Sequence, residues 1–136
     1  MAFENPEQET IRHILKTKKR IAVVGLSDKP NRTSYQVSKY MKDNGYEIIP
    51  VNPTIEESMG MKAYPSLKDV EGPIDIVNVF RRSEELPKVA EEAKEVNPDV
   101  FWAQLGIQNE QAAEILSSTD TTVIMDRCIK VEHASM

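Results

Sequence analysis

A single cysteine, Cys128, stands among 136 residues, so no disulfide can close within the chain. That suits a reducing cytoplasm. Glycine is scarce, with five in all. The three-glycine GxGxxG pattern that seats a dinucleotide is missing, and so is the Walker loop. The two histidines, His13 and His133, do not join cysteine or carboxylates at metal-ligand spacing. Ser27 and Ser34 lack a neighbouring histidine for triad chemistry. No apolar run approaches the roughly 20 residues that span a bilayer. Positive charge is not in excess either. The formal net charge of -5 argues against a general nucleic-acid binder. The opening "MAFENPEQET" is polar and acidic, where a signal peptide is basic and then apolar. The expectation is a soluble cytoplasmic protein with neither nucleic acid nor membrane as partner.

What is present is an alternation of short apolar runs and amphipathic stretches. "NPEQETIRHILK" predicts a first helix over about 5–17. Asn5 would cap it, Pro6 would take its first position, and Gln8 would complete a capping box. The basic run Lys16 to Arg20 suits the end of that helix. "RIAVVGL" is β-branched and nearly continuous, as in a strand buried on both faces. A helix from about Ser34 to Asn44 follows and stops at Gly45. "YEIIPVNP", "IDIVNVF", "DVFWAQL" and "TTVIMD" read as four more strands. Helices over about Leu86 to Val96 and along "NEQAAEIL", capped by Asn109, lie between them. The acidic run Glu91, Glu92, Glu95 reads as a solvated face. The tail packs a last turn of helix.

Strand–helix alternation calls for right-handed crossovers and a parallel sheet covered on both faces. The predicted fold is α/β: one Rossmann-like, three-layer domain spanning 1–136, with a five-stranded parallel sheet. Ligands in such sheets sit beyond the carboxyl ends of the strands, so the strand exits carry the functional reading.

The first exit is "VVGLSDKPNRTSY". Gly25 permits a tight turn and close approach of a ligand. Ser27, Thr33 and Ser34 bring hydroxyls, Lys29 and Arg32 bring charge, and the helix start near Ser34 brings N–H groups that favour an anion. The competing reading is a loop whose serine caps a helix. At the second exit Asn52 and Pro53 stand where dinucleotide enzymes often carry an acid for the ribose. They line an adenosine pocket or form a plain turn. At the third, Phe80, Arg81 and Arg82 lead into "SEE". The arginines hold phosphate in a bidentate way or pair with Glu84 or Glu85. At the fourth, Ala103, Gln104, Leu105 and Gly106 offer an amide and open backbone, and Trp102 is either a flat wall or core. At the fifth, Cys128 follows Asp126 and Arg127. It is a reactive thiol or a packing residue, with no histidine placed as its base.

Taken in order, "VVGLSDKPNRTSY", "GYEIIPVNP", "GMKAYPSLKDV", "IDIVNVFRR", "WAQLGI" and "MDRCIKVEH" resemble the CoA-binding protein family. These are small single-domain relatives of the N-terminal domain of the succinyl-CoA synthetase alpha chain. The resemblance covers about Lys19 to His133. It implies that Ser27, Asp28, Lys29 and Pro30, then Ala103 to Leu105, then Arg127 and Cys128, hold coenzyme A. A lysine that contacts CoA after the second strand in the synthetase is matched here by Ile55, so Arg32 or Arg81 would replace it. The synthetase's phosphorylated histidine belongs to a second domain that this chain lacks. The resemblance therefore implies binding of CoA or an acyl-CoA, with no catalysis of the chain's own. A mixed disulfide between Cys128 and the CoA thiol is a further expectation. The alternative is an NAD(P)- or other nucleotide-dependent enzyme of Rossmann type. A protein partner is left open.

Overall fold

The computed structural model describes residues 3–136. Five parallel strands form the central sheet: β1 (Arg20–Val24), β2 (Glu47–Val51), β5 (Ile76–Val79), β6 (Val100–Ala103) and β7 (Thr122–Ile124). A short antiparallel ribbon, β3 (Glu57–Ser58) and β4 (Met61–Lys62), lies between β2 and β5 in sequence. The sheet runs in the order β2-β1-β5-β6-β7. The chain thus winds outward from β1 in one direction and then resumes on the other side at β5. Strand order reverses between β1 and β5, the place where open α/β sheets hold ligands.

Helices α1 (Gln8–Thr17), α2 (Thr33–Asp43) and α5 (Ile129–Ala134) cover one face. Their core joins Ile11, Leu15, Val37 and Met41 to Ile21, Ile76 and Trp102. Helices α3 (Leu86–Val96) and α4 (Glu110–Leu116) cover the other, where Val89, Ala93 and Leu116 meet Val77, Val79 and Phe101. All four residues of β5 and of β6 are buried, which explains their largely apolar reading; the polar one, Asn78, accepts from the Gln104 amide. Asn97 ends α3 in the left-handed conformation, and Asn109 caps α4 by accepting from the Ala112 N–H at 3.2 Å.

Two expectations change. Asn5 does not cap α1, which begins at Gln8 without a side-chain cap; Pro6 lies outside the helix, and Gln8 donates to Glu132 at 2.8 Å rather than closing a capping box. The Asn5 amide instead pairs with Met125, donating to its carbonyl at 2.9 Å and accepting from its N–H at 2.8 Å. A carboxamide bonds a backbone donor and acceptor at once, so it completes the open end of β7. The connection from β2 to β5 carries no α-helix. It uses the β3–β4 ribbon and a 3₁₀ turn at Leu67–Asp69, and Leu67 supplies the apolar contact to the core.

Tyr46 ties α1 to the sheet through its hydroxyl, which donates to the Leu15 carbonyl. Burial, and then nearby Tyr40, push its phenol above the ordinary value of 10.0. The folded chain keeps a proton that the unfolded chain releases near pH 10, so this contribution is complete below that pH and lost as pH rises further. Tyr46→Phe is therefore expected to lower the melting temperature at pH 7 and to flatten its decline above pH 10, read by circular dichroism. Asn5→Ala is expected to cost about 1–3 kcal/mol in urea denaturation, because both Met125 backbone groups lose their partner. A loss below about 0.5 kcal/mol would show that water replaces the amide.

Candidate functional site at the carboxyl edge

The β1 and β5 exits are brought together by one glycine. Gly25 has φ +91°, and a Cβ built there would lie 2.4 Å from the Phe80 carbonyl oxygen. That oxygen belongs to backbone, which cannot swing aside. The Gly25 N–H donates to the Val51 carbonyl and the Phe80 N–H to the Val24 carbonyl, both at 2.8 Å. Three strand exits are therefore pinned within one turn of chain.

Beyond Gly25 the loop is held by its own polar groups. The Ser34 hydroxyl accepts from the Ser27 N–H and the Ser27 hydroxyl from the Lys29 N–H, each at 3.0 Å. Ser58 donates to the Ser27 carbonyl at 2.8 Å. Asn52 donates to the Leu26 carbonyl at 3.0 Å, while its oxygen takes the Thr54 N–H and hydroxyl. Asn52 and Ser34 thus act as struts that shape the loop. Arg32 precedes α2 without a side-chain cap, which leaves the first N–H groups of the helix open. They border a cleft of about 360 Å³ lined by Gly25, Ser27, Lys29, Arg32, Thr33, Ser34 and Phe80. Among the described residues, neither Lys29 nor Arg32 has a carboxylate within ion-pair distance. Asp28 and Pro30 are exposed on the same loop.

The two arginines part company. Arg82 is exposed and pairs with Glu85 at 3.6 Å. Arg81 is half-buried and in no ion pair among the described residues. It borders two clefts. One, of about 190 Å³, adds Pro53, Pro65, Ser66 and Lys88; the other, of about 500 Å³, adds Phe80, Ser83, Gly106 and Ile107. At the β6 exit Trp102 is core, and its indole N–H donates to the Arg127 carbonyl at 2.8 Å. Ala103 is buried, and its carbonyl accepts from the Arg127 N–H at 3.4 Å. The Gln104 amide is buried between Asn78 and the start of α5, donating to the Asn78 oxygen and accepting from the Ile129 N–H at 3.4 Å. Its side chain organises the floor of the edge, while Leu105 points into water. Gly106 has φ +84° and donates its N–H to Asp126 at 2.7 Å. Cys128 precedes α5, half-buried against the same apolar cluster as Phe80.

Residues 19–134 match the family model described as "CoA binding domain". The chain belongs to this CoA-binding domain family. A Bacillus subtilis relative called uncharacterized protein YneT is 63% identical over 132 residues, covering 97% of this chain and 98% of its own. An ADP-forming acetate–CoA ligase of Methanocaldococcus jannaschii is 36% identical over 74 residues, which are 54% of this chain and 10% of the ligase. Among solved structures, a hypothetical protein from Pyrococcus horikoshii superposes with a TM-score of 0.92 at 34% identity, covering 99% of this chain and 98% of that one. A PH1109 protein redesigned for binding gives 0.94 at 33% identity, covering 98% and 94%.

Within this CoA-binding domain, several edge residues carry no signal in the sequence. Pro65, Ser66 and Lys88 line the cleft of about 190 Å³. Pro65 and Ser66 lie in "GMKAYPSLKDV", a segment whose pattern names no strand exit. Lys88 reads only as part of a helix face. A larger depression of about 540 Å³ lies along α1, lined by Glu9, Thr10, Arg12, His13 and Lys16. It receives no strand exit.

Gly25→Ala is expected to destabilise the fold by at least about 2 kcal/mol in urea denaturation, since positive φ and the Phe80 carbonyl both oppose a Cβ. A neutral substitution would show that the β1 and β5 exits can separate.

Proposed function

We propose that this domain binds CoA or an acyl-CoA at the carboxyl edge of its sheet and performs no catalysis of its own. The observation that carries the reading is the cleft at the start of α2. Uncapped helix N–H groups and two cations, Lys29 and Arg32, that have no carboxylate partner among the described residues converge there on a glycine turn. A pyrophosphate is the anion such a seat suits, because N–H groups and the helix dipole favour negative charge at short range. Arg81, on the far side of Gly25, supplies a third cation for the ribose phosphate. The cleft between Pro53, Pro65 and Ser66 is narrow and partly apolar, which suits a flat base.

Membership of the CoA-binding domain family supports this assignment over a dinucleotide. So does the residue after β2, which is Asn52 and not an acid, and whose amide is spent on the loop. Without catalysis of its own, such a domain would serve as a carrier, sensor or partner subunit.

The test is thermal stabilisation by CoA, acetyl-CoA, NAD, NADP and ATP at equal millimolar concentration. A ligand that binds only the folded state raises the melting point. CoA or acetyl-CoA is expected to give the largest rise, and a larger shift with NAD would overturn the reading. Arg81→Ala is expected to weaken CoA about tenfold, as for loss of a charge-assisted phosphate contact. Arg82→Ala should cost less, because its guanidinium is shared with Glu85. Equal losses would contradict that division of labour.

A further inference from the structure

The loop after β6 forms one wall of the cleft of about 500 Å³, through Gly106 and Ile107. Leu105 and Gly106 are exposed, so packing does not order this stretch. Hydrogen bonds from the two neighbouring exits do. On the β5 side the Ser83 hydroxyl accepts from the Gln108 N–H, and the Ser83 carbonyl from the Asn109 amide, both at 3.1 Å. On the β7 side the bonds come from Asp126. Its carboxylate accepts from the Gly106 N–H at 2.7 Å, and its own N–H donates to the Ile107 carbonyl at 3.1 Å. Asp126 makes both bonds at φ +59°, in the left-handed region. A residue other than glycine keeps that conformation where its surroundings fix it. Here both neighbours are fixed. Met125 is buried, and the Asn5 amide bonds its N–H and its carbonyl. Arg127 donates its N–H to the Ala103 carbonyl, and its own carbonyl accepts from the Trp102 indole. Asn5 is anchored in turn. The Phe3 N–H reaches both Glu110 carboxylate oxygens, at 3.0 and 3.1 Å, and Gln8 donates to Glu132 at 2.8 Å. The segment ahead of α1 is thus tied to α4 and to α5, with Asn5 between them at the β7 exit.

We propose that Asp126 is a positioning residue for the ligand, holding the Gly106–Ile107 wall in its binding shape, and that Asn5 positions Asp126 through Met125. This rests on the CoA reading above and adds to it two residues that line none of the three edge clefts. Phe80 borders both this cleft and the one at the start of α2, so a ligand with its anionic end on α2 extends along this wall. A loop held in its bound shape beforehand spares the ligand the cost of ordering it. Once loosened, only a fraction of molecules is competent, and affinity falls by that fraction. Side-chain chemistry separates the two demands on Asp126. Asparagine tolerates positive φ, and its amide oxygen accepts the same bond. Glycine keeps the φ and loses the acceptor.

The experiment is calorimetric titration with CoA at a temperature where every variant is folded, together with the Gly106 amide resonance of the ligand-free protein. Asp126→Gly is expected to weaken CoA about tenfold and Asn5→Ala about threefold, as the competent fraction falls. Asp126→Asn is expected to stay within about twofold of wild type, because the acceptor is kept. Tyr46→Phe, a destabilising change that touches none of these bonds, is expected to leave affinity unaltered. The Gly106 amide proton should move upfield in Asp126→Gly and in Asn5→Ala, and stay in place in Tyr46→Phe. Wild-type affinity in Asp126→Gly overturns the proposal and leaves the CoA reading standing. So does an equal loss in Asp126→Asn or in Tyr46→Phe, which would assign the effect to charge or to stability. A Gly106 resonance that Asn5→Ala does not move overturns the part given to Asn5. Failure of the wild type to bind CoA overturns the CoA reading and this proposal together.

Discussion

The architecture of the edge depends on the approach of Gly25 to the Phe80 carbonyl. A side chain at that position would collide with backbone at 2.4 Å. Its absence lets the β1 and β5 exits touch where strand order reverses, and everything at the candidate site is measured from that contact. The Ser27–Ser34 loop is turned back over α2 by it, and Arg81 is carried to the other side. A single glycine here does the work that three share in a dinucleotide loop, because only one backbone approach has to be close.

Around that contact most polar side chains serve the protein and few are left for a ligand. Asn52, Ser34, Ser58 and Gln104 each have their hydrogen bonds within the chain. Such satisfied buried groups fix geometry in advance, so a ligand meets a loop that is already ordered. The groups left open are the α2 N–H groups and the cations Lys29, Arg32 and Arg81 on one side, and apolar surface from Phe80 to Ile107 on the other. That division matches a ligand with an anionic end and a long arm.

Much of the fold was legible in the sequence because fully buried parallel strands read as apolar runs. β5 and β6 are buried at every position, and α3 runs from Leu86 to Val96 as its stripe predicts. The misses have local causes. Asn5 before Pro6 carries a capping signal, yet its amide meets Met125, a partner 120 residues away that no local pattern reveals. The β3–β4 ribbon is two residues on each side, too short for any periodicity. At the site, the exits were legible from topology, but the division between them was not. Adjacent arginines look alike in sequence, whereas Arg82 meets Glu85 three residues on and Arg81 faces two clefts. Gln104 reads as a free loop amide, and only tertiary packing against Asn78 makes it part of the floor.

The central claim is that the crevice between the β1 and β5 exits is the seat of the ligand. Backbone amide chemical shifts followed by NMR during titration with CoA test it directly. The account predicts the largest changes at Gly25, Ser27, Thr33, Ser34 and Phe80 to Arg82, with α1 unaffected. Changes confined to Glu9, Arg12, His13 and Lys16 along α1, with the edge silent, would contradict it.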